Sequence, residues 1–400
     1  MTLIELLNIA LSLLEQTPNK GFSKDYSESW IRKNGHIYLP HKNTITFMQI
    51  IEKIYFLNTK ICERFSYQTV SKYIKEKLVD AKSEEMNFSE TNSKDFFKYF
   101  EDIKAKSNYV IAPICGVRLD KKDKVNISIF EIGKQRNLKG ILSNDSDGYY
   151  IAVKIDNVYD NILAIEEAKN KFSDFIRLVI FITGQNDKRV ILKVGLPSYP
   201  SMSNELMYVE SSSYIISETI NEEFPETSTI NNILVNKVPI DDDFFINNLN
   251  FKKLWILYEK TENKFEERLL NASIALGESA SSKNLKNSII YTSMAFEILF
   301  SYDDGSLFQK SIGDRIADTF AFLIGDSAQH RMDIVAKVKK FYSLRSAIVH
   351  GGTGKIDNSY IAFNIFLRAA IDKLLNNEKY RNIKKIDDLY QMVKEAHYSY

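Results

Sequence analysis

From Phe251 to Asn377, apolar residues recur at three- and four-residue steps in long stretches divided by short polar breaks. That spacing lines them along one face of an α-helix, because about 3.6 residues complete a turn. The first stretch, FKKLWILYEKTENKFEERLLNASIALGESA, reads as one long helix. SKNLKNSIIYTSMAFEILFS follows as a second, with Ser281 or Ser282 placed to cap it. QKSIGDRIADTFAFLIGD makes a third that stops near Gly325, RMDIVAKVKKFYSLRSAIVHGG a fourth and NSYIAFNIFLRAAIDKLLNN a fifth. Helices of this length joined by short loops hide their apolar stripes by lying beside one another. Residues 250–400 are therefore expected to form an all-helical bundle.

Upstream the period changes twice. Residues 1–107 are expected to be mainly helical, on the strength of MTLIELLNIALSLLEQ, NTITFMQIIEKIYFLNTKICERF and SKDFFKYFEDIKAK, with the polar VDAKSEEMNFSETNSKD as a loop. Residues 108–218 read as an α+β domain. VNISIFEI alternates, setting Val125, Ile127 and Ile129 on one face as in a half-buried strand, and YYIAVKI and RVILKVGL read likewise. Between those two, ILAIEEAKNKFSDFIRLVIFITG has helical spacing and meets a C-cap at Gly184. Residues 219–249 are acidic, hold Pro225 and Pro239 and lack sustained periodicity, so they read as a connection rather than a core element. The expected fold class is α+β overall: a C-terminal helical bundle preceded by a helical segment and a mixed domain.

Composition excludes several functions. A length of 400 residues exceeds one ordinary core and predicts two or three domains. The two cysteines, Cys62 and Cys115, lie far apart and outside any metal-ligand spacing, which excludes a disulfide framework or zinc site and fits a reducing compartment. In residues 108–218 no phosphate-cradling glycine loop and no Ser/His/Asp arrangement occurs, and neither a metal nor a cofactor is expected for the chain. His36 and His41 are near neighbours without a third ligand, and are read with His330 as loop or surface residues. The apolar N-terminal run carries Glu5 and Glu15, is too short to span a bilayer, and lacks a basic n-region and a cleavage site. A helix in a soluble, cytoplasmic protein is the expectation. Net charge is +1, yet Arg331 to Tyr400 holds 13 basic against 7 acidic residues, a modest attraction for phosphates.

The string KKFYSLRSAIVHGGTG carries the chemistry. Five residues of straight helix turn about 500°, which would leave Arg345 and His350 about 140° apart. They can share a cleft only if the helix ends near the histidine, and Gly351, Gly352 and Gly354 supply that end. Imidazole passes protons near neutral pH and guanidinium offers a fixed fork of donors to phosphate oxygens. The surroundings add weight. RLLNAS (Arg268 to Ser273), then MAFEILF, then GDRIADTFAFLIG, then a Tyr two residues before Leu-Arg-Ser-x-x-x-His-Gly come in the order found in the Apea-like branch of the HEPN family, which this region resembles. The resemblance covers about residues 251–380; upstream nothing is recognised.

That resemblance implies a metal-independent endoribonuclease acting as a homodimer, in which Arg-x4–6-His motifs of two protomers face each other across a cleft. Histidine would act as general acid or base on the RNA 2′-hydroxyl and the leaving oxygen, while arginine steadies the phosphorane. By position, Arg345 and His350 are the catalytic candidates. Glu297, set in an apolar run, either orients Arg345, pairs with Arg315 or is partly exposed. Tyr342 shares the face of Arg345 and either lines the cleft or packs in the core, and Ser346 stands where other HEPN branches often carry Asn, Asp or His. The implied biology is a toxin or antiphage (abortive infection) effector, with RNA as substrate and a trigger or regulatory protein at the upstream region. Restraint by that region predicts that a fragment beginning near Asp241 is more toxic than the full chain. Two rival readings stand: a non-catalytic HEPN module that binds RNA or a partner, and the HEPN half of a pair controlled by a nucleotidyltransferase antitoxin. The latter commonly has a Tyr soon after the histidine, where this chain has Gly-Gly-Thr-Gly.

Overall fold

The structure is a computed structural model that describes residues 1–17, 25–137, 148–184, 192–195, 211–216, 229–234, 237–242, 249–282, 284–302, 312–351 and 359–398. It is a mixed α+β protein that divides into two compact units. Among the described residues no helix is long and apolar enough to cross a membrane.

Met1–Val110 and Lys154–Lys169 make the first unit. Helix α1 (Leu3–Ser12) starts at a capping box in which the Thr2 hydroxyl accepts from the Glu5 backbone and the Glu5 carboxylate accepts from that of Thr2. Its apolar stripe packs on α2 (Thr44–Phe56) and α4 (Tyr67–Ser83), with the short α3 (Thr59–Arg64) between them in sequence and the single turns α5 (Glu90–Ser93) and α6 (Lys98–Glu101) after them. This region also holds a three-stranded antiparallel sheet, β1 (Glu15–Thr17), β2 (Tyr26–Arg32) and β3 (Gly35–Pro40), in the order β1-β3-β2. The helical reading of residues 1–107 is corrected to that extent. So is the reading of His36, which sits in β3 and is buried at 6% exposure. Polar Ser27, Glu28 and Arg32 in β2 and the non-alternating burial of β3 hide the strand pattern. Arg32 is held by Glu76 and Asp80 of α4.

Ile111–Val153 and Asn170–Tyr400 make the second unit. A five-stranded sheet has the order β6-β7-β8-β4-β9, from β4 (Lys106–Cys115), β6 (Lys124–Ile127), β7 (Phe130–Lys134), β8 (Tyr149–Val158) and β9 (Lys193–Val194). VNISIFEI is thus a hairpin and not one strand. Ser128, at φ 53°, turns the chain so that Ile127 pairs with Phe130. Within the supposed connection, β11 (Thr229–Leu234) pairs antiparallel with β10 (Ser211–Ile216), and β12 (Val238–Pro239) pairs parallel with β5 (Val117–Arg118). The Asp241 carboxylate, 2% exposed, accepts from the backbone N–H groups of Asp120, Lys121 and Lys122 at 3.0, 2.7 and 2.9 Å.

Seven helices complete the described part of this unit. The expected first helix is two, α8 (Leu249–Glu259) and α9 (Lys264–Ser281). The break falls where the Asn263 side chain accepts from the backbone N–H groups of Phe265 and Glu266 and so starts α9. Asn284, not Ser281 or Ser282, caps α10 (Leu285–Phe300). Then come α11 (Ile312–Ile324), α12 (Ala328–Val349), α13 (Ser359–Asn376) and α14 (Ile386–Tyr398), with α13 against α8, α9, α10 and α11.

The C-terminal half of α7 (Asn161–Thr183), which ends at Gly184 with φ 63°, joins these helices. Phe175 meets Trp255 of α8 at 5.5 Å between ring centroids. Arg177 donates to Glu278 of α9 at 2.5 Å, and Arg368 of α13 donates to the carbonyls of Phe181 and Ile182 at 2.9 and 2.6 Å. At the α7–α9 crossing the backbones come so close that a Cβ on Gly277 would lie 2.0 Å from the Arg177 carbonyl oxygen. The compact units accordingly divide within β4, β8 and α7.

Candidate functional site

Helix α12 is the frame of the site. Ser327 caps its start by accepting from the His330 backbone, and Ile334, Val338 and Phe341 turn inward. Phe341 and Phe363 meet as tilted rings at 4.7 Å, and Phe296 of α10 lies edge-on to Phe320 at 4.9 Å. This aromatic core fixes α10 beside α12, and the next residue on α10 is Glu297.

Glu297 Oε1 lies 3.6 Å from Arg345 Nη2, with the two side chains 35% and 33% exposed. The separation makes an ion pair and is too long for a hydrogen bond. Of the alternatives for Glu297, the structure shows a partly exposed residue that pairs with Arg345 and not with Arg315. The Arg345 Nε is buried without a hydrogen-bond partner among the described residues, as is the Tyr342 hydroxyl. Burial, reinforced by the Glu297 charge and opposed by Arg345, pushes the Tyr342 phenol well above its ordinary value. Tyr342 also meets Phe296 at 6.5 Å, so it both packs in the core and borders the Arg345–Glu297 pair.

His350 is the C-cap of α12, at φ −89° and ψ 16°, and its N–H donates to the Ser346 carbonyl at 3.0 Å. Gly351 follows at φ 76°, the left-handed conformation that glycine adopts without strain, and a Cβ there would meet nothing within 4 Å. The helix therefore ends at the histidine. Gly352 and Gly354 lie outside the described residues. His350 and Ser346 are exposed, and Ser346 meets His350 through its carbonyl. Apolar Met294 and Val349, 41% and 49% exposed, stand one turn from Glu297 and Arg345. The structure thus joins Glu297, Tyr342 and Arg345 in one cluster and sets His350 at the open end of the same helix.

One positioning residue escaped the sequence reading as such. Arg268 of α9 donates from Nη1 to the carbonyls of Ile298 and Ser301, at 2.8 and 2.9 Å. It closes the last turn of α10, where Glu297 sits, and burial holds its guanidinium below the ordinary value. The signal was an arginine placed among the buried positions of α9, within the RLLNAS segment. Among the described residues, no three His, Cys, Asp or Glu side chains converge as a metal site requires. No protein-family model, curated protein or solved structure matches the chain.

Proposed function

We propose that this protein is a metal-independent endoribonuclease of the HEPN type, with Arg345 and His350 as its catalytic pair in a homodimer. The observation that carries the reading is an exposed histidine at the end of α12, five residues after an arginine held beside a carboxylate. Guanidinium has five N–H donors. A 3.6 Å contact to Glu297 orients Arg345 without consuming them, which leaves donors for phosphate oxygens. Tyr342, kept protonated at neutral pH, is no base. That leaves His350 as the proton carrier at the motif.

In the proposed reaction the 2′-hydroxyl oxygen attacks the adjacent phosphorus as one imidazole takes its proton. The P–O5′ bond breaks, and a second imidazole, from His350 of a second copy, protonates the departing oxygen. The products are a 2′,3′-cyclic phosphate and a 5′-hydroxyl, and Arg345 stabilises the phosphorane charge. The biological role we propose is a cytoplasmic toxin or antiphage (abortive infection) effector under the control of the upstream region and a trigger that acts there.

The test is incubation of the purified full chain with tRNA, with and without EDTA, beside His350→Ala and Arg345→Ala. Each substitution should lower the rate about 10²–10⁴-fold, the usual contribution of a general acid–base or charge-stabilising group. Activity should persist in EDTA, and DNA or 2′-blocked RNA should resist. Light scattering should report a dimer. Undiminished cleavage by His350→Ala, or a requirement for a divalent metal, would sink the assignment. RNA binding without cleavage would instead favour the non-catalytic module.

A further inference from the structure

A second face of α12 lines a cavity that the proposed nuclease reading does not use. The pocket holds about 360 Å³ between α11, α12 and α13. Four phenylalanines form its walls, Phe320, Phe341, Phe363 and Phe366, backed by Ile334 and Leu344. Phe366 is 44% exposed, an unusual state for a ring that borders a cavity large enough to receive a ligand.

Charge at the pocket has one sign. Lys337 and Lys340 are its charged lining residues; His330 also lines it, with Nδ1 turned to Asp326 at 3.8 Å, and no Asp, Glu, Asn, Gln, Ser or Thr does among the described residues. Lys337 and Lys340 stand three residues apart, about 4.5 Å along the axis, so both ammonium groups can reach one anion. Lys339, between them in sequence, points elsewhere and pairs with Asp314 at 2.6 Å. The surrounding backbone is helical and spends its own hydrogen bonds, and the phenylalanine walls carry no polar group, so the apolar part of the pocket offers nothing to the edge of a nucleobase. A buried base would lose its hydrogen bonds to water without replacement. An acyl chain loses none.

We propose that this pocket binds a small amphipathic carboxylate, with its acyl chain among the four phenylalanines and its carboxylate at Lys337 and Lys340. At about 360 Å³ the cavity is at the small end of the range for ligand sites, roughly 300–1,000 Å³, which favours a medium-length chain over a two-chain lipid.

Decanoate is the probe, titrated calorimetrically into the full-length protein, with decanol and AMP as comparison ligands. One saturable site per chain is the expected result. Decanol should bind about tenfold more weakly, because it lacks the charge, and AMP should not bind. The double substitution Lys337→Ala/Lys340→Ala, both at exposed positions, should weaken decanoate about tenfold while leaving helical circular dichroism unchanged. Ala362→Phe, which puts a ring at an exposed lining position, should remove binding altogether. No saturable decanoate binding, equal affinity for decanol, or binding that survives the lysine substitutions would overturn the proposal. Preferred binding of AMP would replace it with a nucleotide site.

Discussion

Gly277→Ala sets two effects of opposite sign against each other. In an exposed helix interior, alanine in place of glycine stabilises by about 1 kcal/mol, because it restricts the unfolded chain. Gly277 is buried in α9, where the new methyl would sit 2.0 Å from the Arg177 carbonyl oxygen, 2.6 Å from its carbon and 2.9 Å from its Cα. All three are backbone atoms, so no side-chain rotation relieves the contact. Reaching an ordinary 3.4 Å requires α7 and α9 to part by about 1.4 Å at the crossing. Gaps of 0.5–1 Å already forfeit a quarter to a half of the dispersion energy across an interface. Overpacking of this kind costs about 1–3 kcal/mol, and the Arg177–Glu278 bond loosens with it. The net expectation, after the gain of about 1 kcal/mol is set against that cost, is a loss of about 0–2 kcal/mol, read as a lower urea midpoint for the full chain by circular dichroism. Arg177→Ala in the same chain should not rescue it, since the clash is with backbone. A Gly277→Ala protein more stable than its parent would refute the close crossing.

Other substitutions read the site and its supports. Tyr342→Phe should leave stability equal or raise it by about 1 kcal/mol at neutral pH, because the buried hydroxyl has no partner among the described residues. The raised phenol favours the folded state below the unfolded value near 10, and that contribution disappears as pH rises through the folded value. Denaturation midpoints of Tyr342→Phe should therefore fall less steeply in alkali than those of the parent; parallel curves would contradict the burial. Asp241→Asn should cost about 2–3 kcal/mol at neutral pH, since the charged acceptor of three N–H groups is lost. Burial works against the Asp241 carboxylate, yet those donors hold it below the usual range. Its contribution is present above the unfolded value near 4 and fades as pH falls through the folded one, so the two proteins should converge in acid. A gap that persists at low pH would show that the loss comes from packing.

Legibility differed by the kind of interaction involved. Periodicity located the helix that ends at Gly184 and the one that ends at His350, because in both the apolar stripe and the left-handed glycine agree. It failed at VNISIFEI, where the turn residue is Ser128 rather than Gly or Asn and the two strands run on without a visible break. The break before α9 was hidden for a related reason: Glu, Lys and Thr in EKTEN suit a helix surface, and only the Asn263 cap ends the run. At the site, the spacing of Arg345 and His350 was open to view. The choice of Glu297 for Arg345 over Arg315, and the support of α10 by Arg268, depend on contacts between helices that a linear pattern does not encode.

The notch at Gly277 has a further consequence for how this chain can be taken apart. Helix α7 lies upstream of the acidic stretch, yet its C-terminal half fills a groove among α8, α9 and α13. A piece cut near Asp241 would leave that groove to water, with the Arg368 donors stripped of their carbonyl partners. Heightened or lost toxicity in such a piece would then report an unfinished molecule as much as release of the proposed activity. Transplanted to another protein, the helices after Leu249 would have to bring a helix from the other side of the supposed boundary, about 70 residues earlier in the chain.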